Sequence, residues 1–182
     1  MATKDQIIDN PVTGERFRWH LTEADTGGRL ARAEGWIRPG GGVSVEHFHP
    51  YSEERFEVLS GRMTLERGGE SHVLLGGDCA RVPAGVPHRW CNAGDEELHM
   101  FMEVHDPRGF EDMLEDAFAA AQRGHVAPDG RMKLLPGAAF ARAHWASIRV
   151  TSPPPWLQRV VLPPLAWLSS VRPAPARAPS AT

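Results

Sequence analysis

Residues 41–61 read GGVSVEHFHPYSEERFEVLSG. His47 and His49 are separated by one residue in an extended run, so their side chains leave the same face of a strand. At a rise of ~3.4 Å per residue their Cα atoms lie about 7 Å apart, and two imidazoles at that spacing can converge on one ion. Pro50-Tyr51-Ser52 breaks the strand, and Glu54 opens a second run whose face it shares with Phe56 and Val58. Gly61 ends that run in a turn.

A second stretch, residues 77–92, reads GDCARVPAGVPHRWCN. A strand ends at Pro83-Ala84-Gly85, a turn follows, and His88 stands at the start of the next strand. Outward from these two stretches the pattern repeats. Short extended runs over 16–21, 30–37, 43–48, 55–59, 63–66, 72–75, 79–82, 87–91 and 98–104 are separated by glycine-rich turns such as Thr26-Gly27-Gly28 and Gly76-Gly77. Strands at roughly 8–12-residue spacing predict an antiparallel sandwich or barrel.

The two stretches match both motifs of the cupin superfamily, which this chain resembles over residues 14–106. The first motif is met by Gly41, His47, His49, Glu54 and Gly61, and the second by Gly77, Pro83, Gly85, His88 and Asn92, every spacing included. The resemblance implies a mainly β, antiparallel jelly roll (a double-stranded β-barrel) with a metal held inside by His47, His49, Glu54 and His88. The six-residue gap to Gly61 selects Glu54 over its neighbour Glu53. Three neutral imidazoles and a carboxylate suit divalent Fe, Mn, Ni, Zn or Cu rather than Ca or Mg. Four protein ligands around a six-coordinate ion would leave two positions for water, dioxygen or a chelating substrate.

Other residues have weaker claims. Tyr51, the only tyrosine, lies between proposed ligands and either reaches the pocket mouth or belongs to a surface loop. On the run 98–104 the apolar face of Leu98, Met100, Met102 and Val104 is the expected core, which leaves His99 on the surface. Arg81 and Arg89 are expected at solvated strand positions. Cys79 and Cys91 form neither a disulfide framework nor a CxxC pair, and are expected as small buried hydrophobes in a reducing, cytoplasmic setting.

Composition sets the outer bounds. The 182 residues are enough for one domain with a small extension. A formal net charge of -3 argues against a nucleic-acid binder that relies on a basic surface. With Gly 18 and Pro 16 the chain holds more breakers than a helical bundle tolerates. The N-terminus, MATKDQIIDN, lacks the hydrophobic region of a signal peptide.

The expected division is an N-terminal arm (1–13), the β-barrel (14–106), a helical extension (107–150), and a proline-rich apolar segment with a disordered tail (151–182). Phe110, Met113, Leu114, Ala117, Phe118 and Ala121 recur at helical spacing, with acidic residues at the start, Arg123 in the last turn and Gly124 as the stop. A second helix is expected over 137–148, with Phe140, His144, Trp145 and Ile148 on one face. A third spans 156–171, where Pro163-Pro164 must kink or split it. Its uncharged run between Arg159 and Arg172 is shorter than the ~20 residues of a membrane span, and packing over the barrel or a partner subunit is the preferred role. A homodimer is expected from the family and from this segment.

The expected function is a metal-dependent enzyme on a small molecule, of dioxygenase type; the motif-level resemblance to flavonol dioxygenases implies that Glu54 doubles as a proton acceptor when it detaches from the metal. Metal-dependent isomerases or decarboxylases use the same four residues, and fold and ligands do not choose between them. A non-enzymatic module that senses a small ligand or metal is the alternative. A metal-free epimerase would not need the complete ligand set, and a seed-storage role would require a duplicated barrel.

Overall fold

The computed structural model describes residues 2–171; the expected tail over 172–182 lies outside the described residues. In chain order the elements are β1 (Ile7–Asn10), β2 (Glu15–Leu21), α1 (Glu23–Thr26), β3 (Leu30–Ile37), β4 (Gly42–Phe48), β5 (Glu53–Ser60), β6 (Arg62–Arg67) and β7 (Glu70–Leu75). They continue with β8 (Cys79–Val82), β9 (His88–Asn92), β10 (Leu98–His105), α2 (Phe110–Gln122), α3 (Leu134–Ala143), β11 (Arg149–Val150) and α4 (Pro155–Val171). The strands form two antiparallel sheets, β1-β2-β3-β10-β5-β8 and β11-β4-β9-β6-β7. In both, strands distant in sequence lie side by side, as a jelly roll requires. Mainly β with C-terminal helices is the fold that the turn spacing predicts.

Alternation along the strands decides what lies between the sheets. In β10 Leu98, Met100, Met102 and Val104 are buried, and on its neighbour β3 so are Ala31, Ala33 and Ile37. Gly35, paired with Phe17, lacks a side chain because the Phe17 ring occupies its place: a Cβ there would lie 2.5 Å from the ring. Gly61 makes the β5–β6 turn at φ 86, a left-handed conformation glycine adopts without strain, tight against the backbone of Glu97 and Leu98.

The helix α2 has no side-chain cap at Gly109, yet it begins with Glu111 and Asp112, which favour the positive end of its dipole. Phe110, Met113, Leu114 and Phe118 close one side of the core, and the Phe118 ring lies 6.1 Å from that of Phe17. Burying each such side chain contributes roughly 1.5–3 kcal/mol. Asp106 (φ 53), Arg108 (φ 48) and Gly109 (φ 80) bend the chain sharply from β10 into this helix.

Two expectations are corrected, and one of two alternatives for the last helix, a split at its prolines, is removed. The second helix runs from Leu134 to Ala143 rather than over 137–148. Pro136 is accepted in its first turn, and His144–Ser147 turn the chain so that Arg149 and Val150 pair with Phe48 and His47. The segment Pro155–Val171 is one unsplit helix. Pro163 and Pro164 remove two amide donors, but their acceptors would be the carbonyls of Arg159 and Val160, exposed residues that water can reach. Cys79 is exposed because Ala80 and Val82 take the inward positions of β8, and Cys91 is half-buried because Trp90 and Asn92 take those of β9. The strand β1, the one-turn α1 and β11 carry no periodicity strong enough to read. No helix among the described residues is long and apolar enough to cross a membrane.

Candidate metal centre

The site lies at one end of the sandwich, where β4, β5 and β9 bring their motif residues together. His47 on β4 is in register with His88 on β9, after an irregularity that begins beyond Val43. Glu54 stands on β5 between Val82 and Val104 of the flanking strands, and the inward positions of β5 are Glu54, Phe56 and Val58. Glu53 therefore points outward, where Arg55 and Arg81 donate to it. His49 follows the end of β4, and its carbonyl accepts from the Gly85 amide of the second motif at 2.8 Å.

One ligand atom from each of His47, His49, Glu54 and His88 falls within 4.8 Å of all the others. The residues are 4%, 3%, 3% and 1% exposed, so water cannot solvate the cluster freely. Each imidazole is oriented through its far nitrogen. Nδ1–H of His47 donates to the Val45 carbonyl at 2.9 Å, that of His88 to Val86 at 3.0 Å, and that of His49 to Ser147 at 2.5 Å. With Nδ1 carrying the proton, each Nε2 presents a lone pair, the arrangement a metal-bound histidine needs.

Inside the cluster the polar atoms lack partners. Nε2 of His49, Nε2 of His88 and Oε2 of Glu54 are buried without a hydrogen bond, although Oε2 lies 2.6 Å from His88 Nε2 and 3.5 Å from His49 Nε2. Two lone pairs at such separations repel, and a proton or a cation between them removes the conflict. The donor set therefore fits a divalent transition metal.

Electrostatics hold the residues ready. Burial, followed by the charges of His88 and His49, pulls the His47 imidazole down to about 3, and burial also lowers His49. Burial pushes the Glu54 carboxyl up, but the facing His49 and His88 outweigh it and hold it down at about 2. For His88 burial lowers the imidazole, and Glu54 more than offsets this, so it is raised. A cation held by these four residues would take the place of that proton.

The weaker candidates lie elsewhere. Tyr51 is on the surface beneath the Arg108 guanidinium, 4.9 Å from its ring centre. His99 is half-buried on the outer sheet face, stacked on Trp36 at 5.2 Å, and it shares Glu34 with His20. Arg81 pairs with Glu53 and Arg89 with Glu66, both on the solvated face. Sequence reasoning missed two participants. Phe110 places its ring 5.3 Å from that of His49, and Ser147 supplies the carbonyl that holds His49. A carbonyl acceptor leaves no trace in side-chain pattern.

Residues 36–104 match the family described as the Cupin domain. The chain is 42% identical over 68 residues to the Polyketide synthase CurC of Streptomyces cyaneus, covering 37% of this chain and 44% of that one. It is 41% identical over 44 residues to the Quercetin 2,3-dioxygenase of Bacillus subtilis (strain 168), covering 24% of this chain and 13% of that one. The chain thus spans less than half the length of either relative. Among solved structures, an RmlC-like cupin from Shewanella frigidimarina NCIMB 400 superposes with a TM-score of 0.50 at 18% identity, over 59% of this chain and 88% of that one, a likeness of fold. His47, His49, Glu54 and His88 all lie within the residues that match the Cupin domain, so the buried cluster belongs to the part of the chain that carries that domain.

Proposed function

We propose that His47, His49, Glu54 and His88 hold one divalent transition metal and that the protein acts with it on a small oxygenated molecule as a dioxygenase. The observation that carries the reading is the convergence of oriented Nε2 atoms on a carboxylate whose buried Oε2 has no hydrogen-bond partner. The metal, when bound, supplies positions at which substrate and dioxygen meet. The protein's own residues do the rest. Burial keeps His47 and His49 neutral, the Nδ1 hydrogen bonds aim all three Nε2 atoms inward, Phe110 helps keep water out, and Glu54 is the carboxylate that would take a proton from a substrate hydroxyl.

The choice of dioxygenase rests on the likeness to the Quercetin 2,3-dioxygenase. Together with the likeness to a polyketide synthase protein, it makes flavonols and polyketides the first compounds to assay. Insertion of both atoms of dioxygen needs no external reductant.

The test is metal analysis of the protein purified without added metal, beside His47→Ala and His88→Ala, followed by assays with and without oxygen. About one equivalent of transition metal in the wild type, strongly reduced in both variants, is expected, with turnover that requires oxygen. Equal metal content in all three proteins overturns the ligand set, and turnover without oxygen overturns the dioxygenase in favour of an isomerase or decarboxylase.

A further inference from the structure

Of the three imidazoles, two are anchored within their own motif. His47 and His88 each donate from Nδ1 to the carbonyl two residues earlier in the chain, that of Val45 within β4 and that of Val86 in the turn before β9. His49 differs: its acceptor, the Ser147 carbonyl, is 98 residues away, beyond β10 and beyond the residues that match the family. We infer that the turn and short strand at 147–150 are a built part of the metal centre, with Ser147 as the positioning residue that fixes the ring of His49. The inference rests on the metal reading of the four residues.

Several contacts hold this segment in place. Ser147 is 4% exposed, and its hydroxyl donates to the Arg108 carbonyl at 2.8 Å. Arg149 and Val150 continue the sheet beside β4, opposite Phe48 and His47, so the segment is registered against the strand that carries His47 and leads into His49. The Thr151 amide donates to the Glu46 carbonyl at 3.2 Å and its hydroxyl to the Glu46 carboxylate at 2.7 Å. Gln158, 2% exposed on α4, donates from Nε2 to the carbonyls of Val150 and Pro153 and so ties the strap to the final helix. A lone carbonyl meeting a histidine would not need this support. Two hydroxyls, a strand pairing and a buried amide instead fix its position to within the tolerance of a hydrogen bond. Phe110, from the start of α2, packs against the same imidazole. The hydrogen bond that fixes the far nitrogen of His49 and the aromatic ring beside it thus both come from chain outside the barrel.

The consequence is that loosening the strap weakens metal binding through His49 while leaving the other ligands in place. Removing such supporting partners of ligand histidines costs about 10–100-fold in metal affinity. The test uses the full chain, stripped of metal and titrated with Co(II), for the wild type, Gln158→Ala, Ser147→Ala and the control Arg142→Ala on the exposed side of α3. A second readout is hydrogen exchange of the His49 Nδ1 proton by NMR in the metal-free protein, read against the backbone amides of β10, which report general stability. Both test variants are expected to bind Co(II) about tenfold more weakly and to exchange that proton faster, with Arg142→Ala unchanged in both. Ser147→Ala deletes a single hydroxyl and decides the matter should Gln158→Ala not fold. Wild-type affinity and wild-type proton exchange in Ser147→Ala overturn the inference. A wild type that takes up no Co(II) overturns the metal reading instead, and the proton exchange still judges whether Ser147 orients His49.

Discussion

Glu53 and Glu54 are adjacent carboxylates with opposite roles. Hydrogen bonds from Arg81 and Arg55 hold Glu53 down at about 2 on the surface. Glu54 reaches a similar value inside the sandwich by facing imidazoles against the opposing effect of burial. Glu54→Gln removes the negative charge from the centre and is expected to weaken metal binding at least tenfold by titration, whereas Glu53→Gln leaves it unchanged. Glu15 is a third case. Its Oε1 is buried without a partner, and burial, offset in part by the Thr13 hydroxyl, pushes its carboxyl up to about 7. Because the folded value lies above the unfolded one, this group's contribution is fully present below about pH 4.5 and is lost as pH rises through 7. The loss is on the order of 3 kcal/mol. In urea denaturation Glu15→Gln is therefore expected to exceed the wild type in stability above pH 7 and to lose that advantage near pH 5. A constant difference across this range would contradict the assignment.

At the scale of elements, α2 shows how tertiary packing replaces local signals. Its first residue follows a left-handed Gly109 with no side-chain cap, so its stability comes from the face that meets the sheet. Phe118→Ala is expected to cost about 3–5 kcal/mol in equilibrium denaturation; a loss below 1 kcal/mol would show that the helix does not close the core. The strands were legible because half-buried antiparallel strands alternate and glycines punctuate them, and β3 and β8 fall where the pattern puts them. So did the face of β10, from Leu98 to Val104. What was not legible follows from the same physics. The strand β11 has two residues, too few for a period, and exists because β4 offers an edge. The helix α3 was misplaced because Trp145 and Ile148 extend its apolar spacing past the turn that β11 requires. Cys79 was misjudged because composition says that cysteines are buried, while its own strand turns Ala80 and Val82 inward. The cluster of His47, His49, Glu54 and His88 could be read whole, since motif spacing fixes strand position and strand position fixes direction. The Ser147 carbonyl could not, because backbone acceptors are common to every residue.

The whole molecule joins a barrel-like sandwich, which supplies the candidate ligands, to a C-terminal extension that covers and orients one of them. Binding of a metal to the folded state alone stabilises it by mass action, about 4 kcal/mol at a thousandfold excess over Kd. For a chain of this size that raises Tm by about 10 °C. Chelation is expected to lower Tm by this amount and readdition of metal to restore it, and the same shift in His88→Ala would place the metal elsewhere. The most direct test is an anomalous difference map from crystals of the protein purified without added metal, collected at the absorption edge of the element it contains. The account predicts one strong peak bounded by Nε2 of His47, His49 and His88 and by the Glu54 carboxylate. A map with no peak there, or with its metal held by other residues, contradicts it.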